Sequence, residues 1–184
     1  MPVTLDATTA LIVVDLQSGT VRNPTVHPID GVVANAVGLI AAFRRHGLPI
    51  VIATVDGTPS GRSDYGGGAT VWPVEMTELV AGVEAEQRDI VVTRRAWSVF
   101  AATDLAERLA ATGATQVVIV GLATSFGVES TARDAYDAGY NVLVAVDAIS
   151  DMRAETHENS VTRIFPILGQ TGTAAEVVEA LDAR

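Results

Sequence analysis

The sequence predicts an α/β fold, three layers α/β/α around a mostly parallel central sheet of about five or six strands. Short, almost uninterrupted apolar runs alternate with longer segments of helical period, and three of those helical segments stop at a glycine just ahead of the next apolar run. The first run, residues 10–14 (ALIVV), ends at Asp15. Residues 32–46 follow as an amphipathic helix closed by Gly47, and residues 49–55 (PIVIATV) form a second strand ending at Asp56. Residues 89–92 (DIVV) supply a third strand, and a helix over 103–112 closes at Gly113. Residues 116–120 (QVVIV) and 141–146 (NVLVAV) supply two more strands, separated by a helix over 125–138 that closes at Gly139. The tail reads as a helix over 154–163, a short apolar FPIL run at 165–168, and a last helix from about 173 to 181. Strands this continuously apolar are expected to be buried on both faces, as parallel strands are.

Composition narrows the function classes. The chain has 184 residues, 48% hydrophobic and 18% charged, enough for one domain (1–184) with a substantial core. Its formal net charge of −10 sets binding to nucleic acid or anionic lipid against electrostatic repulsion, so neither partner is expected. No apolar run reaches the roughly 18 residues of a membrane span, and residues 1–9 carry no positive stretch of a secretory leader. A cytoplasmic protein is therefore expected. There is no cysteine and no lysine.

In open parallel sheets, ligands collect beyond the carboxyl ends of the strands. That rule selects Asp15 and Gln17 after the first run, residues 56–62 after the second, 94–98 after the third, 123–127 after the fourth, and Asp147 after the fifth. The segment ALIVVDLQ, the pattern RRAWSVFAATDLAERL and the segment VVIVGLATSFGVESTARDAYDAGYNVLVAVDAISD fall in an order and spacing that resembles the isochorismatase-like hydrolase superfamily, over nearly the whole chain. The resemblance implies a Rossmann-like sheet, a small-molecule substrate, and a dimer or higher homo-oligomer with the loop at 56–73 near a neighbouring subunit.

Residue by residue, the resemblance assigns Asp15 the family's acidic catalytic role, a base in the cysteine hydrolases and a proton donor to a vinyl ether in true isochorismatases. Arg94 stands where the family carries its catalytic lysine. Arginine stays charged at any working pH, so Arg94 suits holding a carboxylate rather than shuttling a proton. Gly127 falls where the amidase branch carries its cysteine and where true isochorismatases carry glycine. Ala123 takes a position often occupied by tyrosine, Asp56 lies near a substrate-binding glutamine, and Arg62 aligns with a substrate-binding arginine. The resemblance also implies a non-proline cis peptide at Leu122–Ala123.

Candidate catalytic residues are thus Asp15 and Arg94, and candidate substrate contacts are Gln17, Asp56, Arg62, Trp97, Ala123, Thr124, Ser125 and Gly127. In the turn GLATSFGVES, Thr124 or Ser125 is placed to cap the following helix, and the N–H groups of that helix start form a candidate anion site. Ser125 as a replacement nucleophile lacks a histidine in a partner position. Arg94–Arg95 read together as a solvated basic pair, with a ligand role kept for Arg94 alone. Neither metal nor cofactor is expected. His27, His46 and His157 have no ligand spacing, and Gly66–Gly68 follow a loop instead of opening a helix after a strand. Residues 56–73 read as a mobile lid or subunit contact. Two classes of function remain: a hydrolase of a small, anionic molecule working without a thiol intermediate, and a non-catalytic binding or structural member.

Overall fold

A computed structural model describes residues 2–184. Its centre is a six-stranded, wholly parallel sheet: β1 (Thr9–Val14), β2 (Ile50–Val55), β3 (Ile90–Arg94), β4 (Gln116–Leu122), β5 (Asn141–Ser150) and β6 (Gly169–Gly172), in spatial order β6-β5-β4-β1-β2-β3. The labelled helices are α1 (Ile29–Arg45), α2 (Leu105–Ala111), α3 (Glu129–Asp137), α4 (Ala154–Asn159), α5 (Phe165–Leu168) and α6 (Ala174–Asp182). Wide π turns, Thr124–Val128 and Ser160–Ile164, lead into α3 and join α4 to α5.

Side-chain alternation sorts the apolar strands onto two cores. Leu11, Val13, Ile50, Ile52, Val118, Val120 and Leu143 pack under α1 and α6, with Phe43, Leu39 and Val177. Their neighbours Ala10, Ile12, Val14, Val51, Val117, Ile119 and Val144 face the other way, against Leu105, Leu109, Ala132, Ala135 and Phe165. A run such as ALIVV is apolar throughout because both of its faces are covered.

Three elements depart from the sequence expectation. The FPIL run is a helical turn, and the sixth strand is the Gly169–Gly172 segment after it, whose GQTG sequence carries no strand signature. The fifth strand does not stop at Val146 but runs on to Ser150 after a register shift against β4. Asp147, selected as a strand-end ligand residue, therefore lies within a strand, and its carboxylate accepts from Ala174 N at 2.7 Å, holding the start of α6. Residues 56–73 hold two short ribbons, pairing Gly57–Thr58 with Thr70–Val71 and Arg62–Ser63 with Gly66–Gly67. Among the described residues no helix is long and apolar enough to cross a membrane.

The chain runs outward from β1 through β2 to β3, then returns to the other side of β1 and runs outward again through β4, β5 and β6. The reversal opens a crevice at the carboxyl ends of β1 and β4. Gly121 makes the approach of these strands possible: its φ is +112°, and a Cβ there would lie 2.0 Å from the Val14 carbonyl oxygen. Gly121→Ala is expected to cost at least about 3 kcal/mol, combining a strained backbone with a clash against main chain. Gly38→Ala, in the exposed middle of α1 where a Cβ meets nothing within 4 Å, is expected to stabilise by up to about 1 kcal/mol. Urea unfolding of the two variants checks both signs.

Candidate active site

Just past the end of β1 stands Asp15, whose backbone departs from strand geometry into the left-handed region at φ 50°. A non-glycine residue held there is uncommon and marks a constrained position. Its N–H donates to Ala53 O at 3.0 Å, and its carbonyl accepts the Thr20 hydroxyl from the helical turn Ser18–Val21. Two strands away, β3 ends on Arg94, and the two side chains meet across the end of β2. Arg94 Nη2 donates to Asp15 Oδ2 at 2.9 Å and Nη1 donates to Oδ1, a bidentate fork in which both residues are buried. Nη2 also donates to Trp97 O at 2.9 Å, while the buried Nε has no partner. Burial pushes the Asp15 carboxyl above its ordinary value, and the Arg94 guanidinium offsets part of that rise.

Asp15 lies in the wall of a cavity of about 180 Å³. Leu122, Ala123, Phe126 and Gly127 line it from the end of β4, and the Leu122–Ala123 peptide is cis, as the resemblance implies. Trp97 packs edge-on against Phe126 with ring centroids 4.9 Å apart, and Trp72 joins from the loop after the ribbons. Gly127 lets the helix start pack closely beside the carboxylate. A Cβ at position 127 would come within 3.5 Å of Asp15 Oδ2, 2.9 Å of Val14 Cγ1 and 3.0 Å of Leu122 O.

The structure brings Asp15, Arg94, Trp97, Ala123 and Gly127 together and leaves the other candidates elsewhere. Gln17 is buried as a tie between strand ends: its Oε1 accepts from Val55 N at 2.8 Å, and its Nε2 donates to Val55 O at 3.1 Å and Thr77 O at 3.0 Å. Arg62 sits in a ribbon and lines the adjoining groove of Tyr65 and Gly66–Gly68. Asp56 does not line the cavity but accepts from Arg95 Nε at 3.1 Å, and Arg95 does line it. The Thr124 hydroxyl is 2.9 Å from His157 Nδ1.

The helix start after β4 differs from the expectation in one respect that matters chemically. Neither Thr124 nor Ser125 caps it by side chain. The cap is Asp151, beyond the end of β5, whose Oδ2 accepts from Ser125 N at 2.6 Å while Oδ1 accepts from Met152 N at 2.8 Å. Phe126 N and Val128 N donate to Ala123 O. The expected anion site is thus occupied by the chain's own carboxylate.

Asp151 also lines the cavity, with Thr20, Asn23, Thr25 and Met152, none of which was selected from sequence. The signal for Asp151 was present, an acidic residue closing a long apolar run. The loop residues Asn23 and Thr25 carry no pattern. His27 and His157, remote in sequence, have ring centroids 4.7 Å apart. Among the described residues no group of three or more potential ligands is gathered to hold a metal ion.

A model of the isochorismatase domain matches residues 9–176. The uncharacterized isochorismatase family protein YecD of Escherichia coli O157:H7 is 36% identical, over 95% of this chain and 96% of its own length. A maleamate amidohydrolase of Pseudomonas putida is 29% identical over 94% of this chain and 86% of its own. Among solved structures, an isochorismatase family protein of Burkholderia thailandensis superposes with a TM-score of 0.94 at 36% identity, covering 99% of this chain and 100% of that one.

The buried pair generates a stability prediction. Arg94→Ala is expected to cost about 3–5 kcal/mol, because it strands a buried carboxylate. The double variant Asp15→Asn, Arg94→Gln removes both charges and is expected to cost clearly less than the sum of its single changes. Additive losses in urea unfolding would contradict the pairing.

Proposed function

The chain belongs to the isochorismatase family, and from that premise we propose that it is a hydrolase of a small, anionic molecule that works without a covalent thiol intermediate. Asp15 is its acid/base. A chain with neither cysteine nor lysine cannot assemble the nucleophile and ammonium of the cysteine hydrolases. One observation carries the reading: the buried Asp15 carboxylate, made more basic than a solvated one, lies in the cavity wall beside Gly127.

Each oxygen of an ionised carboxylate has about two acceptor sites, so Oδ2 retains one after accepting from Arg94. In this mechanism Asp15 removes a proton from water as the water oxygen bonds to the substrate carbon. It then returns the proton to the departing oxygen or nitrogen as that bond breaks. Arg94 is a positioning residue. It keeps Asp15 ionised and oriented, and its donors stay engaged with Asp15 and Trp97 O throughout. The aromatic walls at Trp72, Trp97 and Phe126 exclude water from one side and favour a flat substrate. A small amide suits this chemistry with Asp15 as proton acceptor. A vinyl ether of the isochorismate kind would instead take a proton from protonated Asp15 onto its methylene carbon; water then adds to the resulting cation, returning a proton to Asp15, and the hemiketal so formed releases the alcohol.

The same fork supports a second reading, a member that binds its ligand without turning it over, because both Asp15 oxygens already accept from Arg94. Hydrolysis of isochorismate and of a panel of small amides by purified protein separates the two. Turnover is expected, with a fall of about 10²–10⁴-fold in an Asp15→Asn variant whose near-ultraviolet circular dichroism shows it folded. Ligand binding with no turnover on any panel member would favour the binding protein.

The pH profile has a sign fixed by the role. As a base, Asp15 must be ionised, so activity is lost as pH falls through its pKa. Because that pKa is raised, the acid limb is expected above 3.8. An activity that is instead lost as pH rises through that value would assign Asp15 the proton-donor role. Rate measurements across the acid range distinguish the two.

A further inference from the structure

An anionic substrate needs a cation, and Arg94 cannot supply it. Its two Nη groups are taken up by Asp15 and Trp97 O, and it does not line the cavity. The helix start after β4, the other expected anion site, is capped by Asp151. Arg95 is differently placed. It lines the cavity, its Nε is held by Asp56 Oδ1 at 3.1 Å, and among the described residues both of its Nη groups lack a protein partner. The pair is accessible, with side-chain exposures of 45% for Arg95 and 37% for Asp56. It is therefore a hydrated, exchangeable contact, unlike the Asp15–Arg94 fork.

We propose that Arg95 is the specificity-determining residue of this cavity, gripping the carboxylate of a planar, ring-bearing substrate whose ring lies against Trp72, Trp97 and Phe126, with Asp56 holding the guanidinium in place. The proposal rests on reading the Asp15 cavity as a ligand site. It adds the substrate class and the residue that selects it. A guanidinium held by Nε presents its two Nη donors as the planar fork that matches a carboxylate. Aromatic side chains at the same mouth supply the stacking surface. Arg94 and Arg95, adjacent in sequence, thus divide the work, one locking the acid/base and the other facing the substrate.

The chain's two tryptophans, Trp72 and Trp97, both line the cavity, so intrinsic fluorescence reports its occupancy. The experiment titrates the purified protein with benzoate and with its uncharged counterpart benzyl alcohol. Benzoate is expected to bind more tightly. Arg95→Gln is expected to weaken benzoate about tenfold or more while leaving benzyl alcohol within about twofold. Arg163→Gln, an equal loss of charge away from the cavity, is expected to change neither. No fluorescence response to benzoate, no preference for it over benzyl alcohol, or equal losses in Arg95→Gln and Arg163→Gln would each overturn the proposal. Binding is read without turnover, so the outcomes separate. Retained benzoate selectivity in a chain inactive on every hydrolysis substrate would sink the hydrolase reading and leave Arg95 standing.

Discussion

The buried fork between Asp15 and Arg94 is the contact on which the site depends. It joins the ends of β1 and β3 across β2, a separation of two strand spacings, about 10 Å, which favours a side chain as long as arginine's on one side. Two charges removed from water stabilise a structure only when each satisfies the other. Here both carboxylate oxygens accept from the guanidinium, and Arg94 is fixed further by Trp97 O. The fork orders the base of the cavity and sets the basicity of the proposed acid/base group together. Burial raises Asp15, and the guanidinium limits the rise.

Around that pair the fold supplies position without chemistry. The parallel sheet reverses direction at β1, placing the ends of β1 and β4 side by side. Gly121 permits their close approach, and Gly127 lets the following helix start pack against Val14 and Leu122 beside Asp15. Asp151 closes the helix start that would otherwise attract an anion. Among the described residues, the remaining accessible cation at the cavity wall is Arg95. A polar floor holding Asp15, an aromatic mouth and the exchangeable guanidinium of Arg95 together support the proposal of a small, flat, anionic substrate.

Much of this was legible in the sequence because it follows from periodicity. Runs buried on both faces must be apolar throughout, and helices ending at Gly47, Gly113 and Gly139 mark the returns to the sheet. Asp15, Arg94, Trp97, Ala123 and Gly127 were legible because they fall just beyond apolar runs. The failures have physical causes. Gln17 has the position of a ligand residue, yet its amide is consumed by Val55 and Thr77 backbone groups, a tertiary tie that no local pattern announces. Strand β6 is GQTG, because an edge strand of four residues can form from backbone pairing with little apolar content. Arg95 reads as a solvated partner of Arg94 until the fold shows that the two guanidinium groups have different surroundings.

The most direct test of Asp15 as a proton-handling group needs no substrate. Carboxyl ¹³C resonances of the folded protein, followed through an acid titration with Asp15→Asn for assignment, report when Asp15 loses its proton. One carboxyl, absent from the variant, is expected to titrate above the ordinary aspartate value of 3.8. A resonance titrating at or below that value would mean that Arg94 outweighs burial, leaving Asp15 a spent ion-pair partner rather than an acid/base.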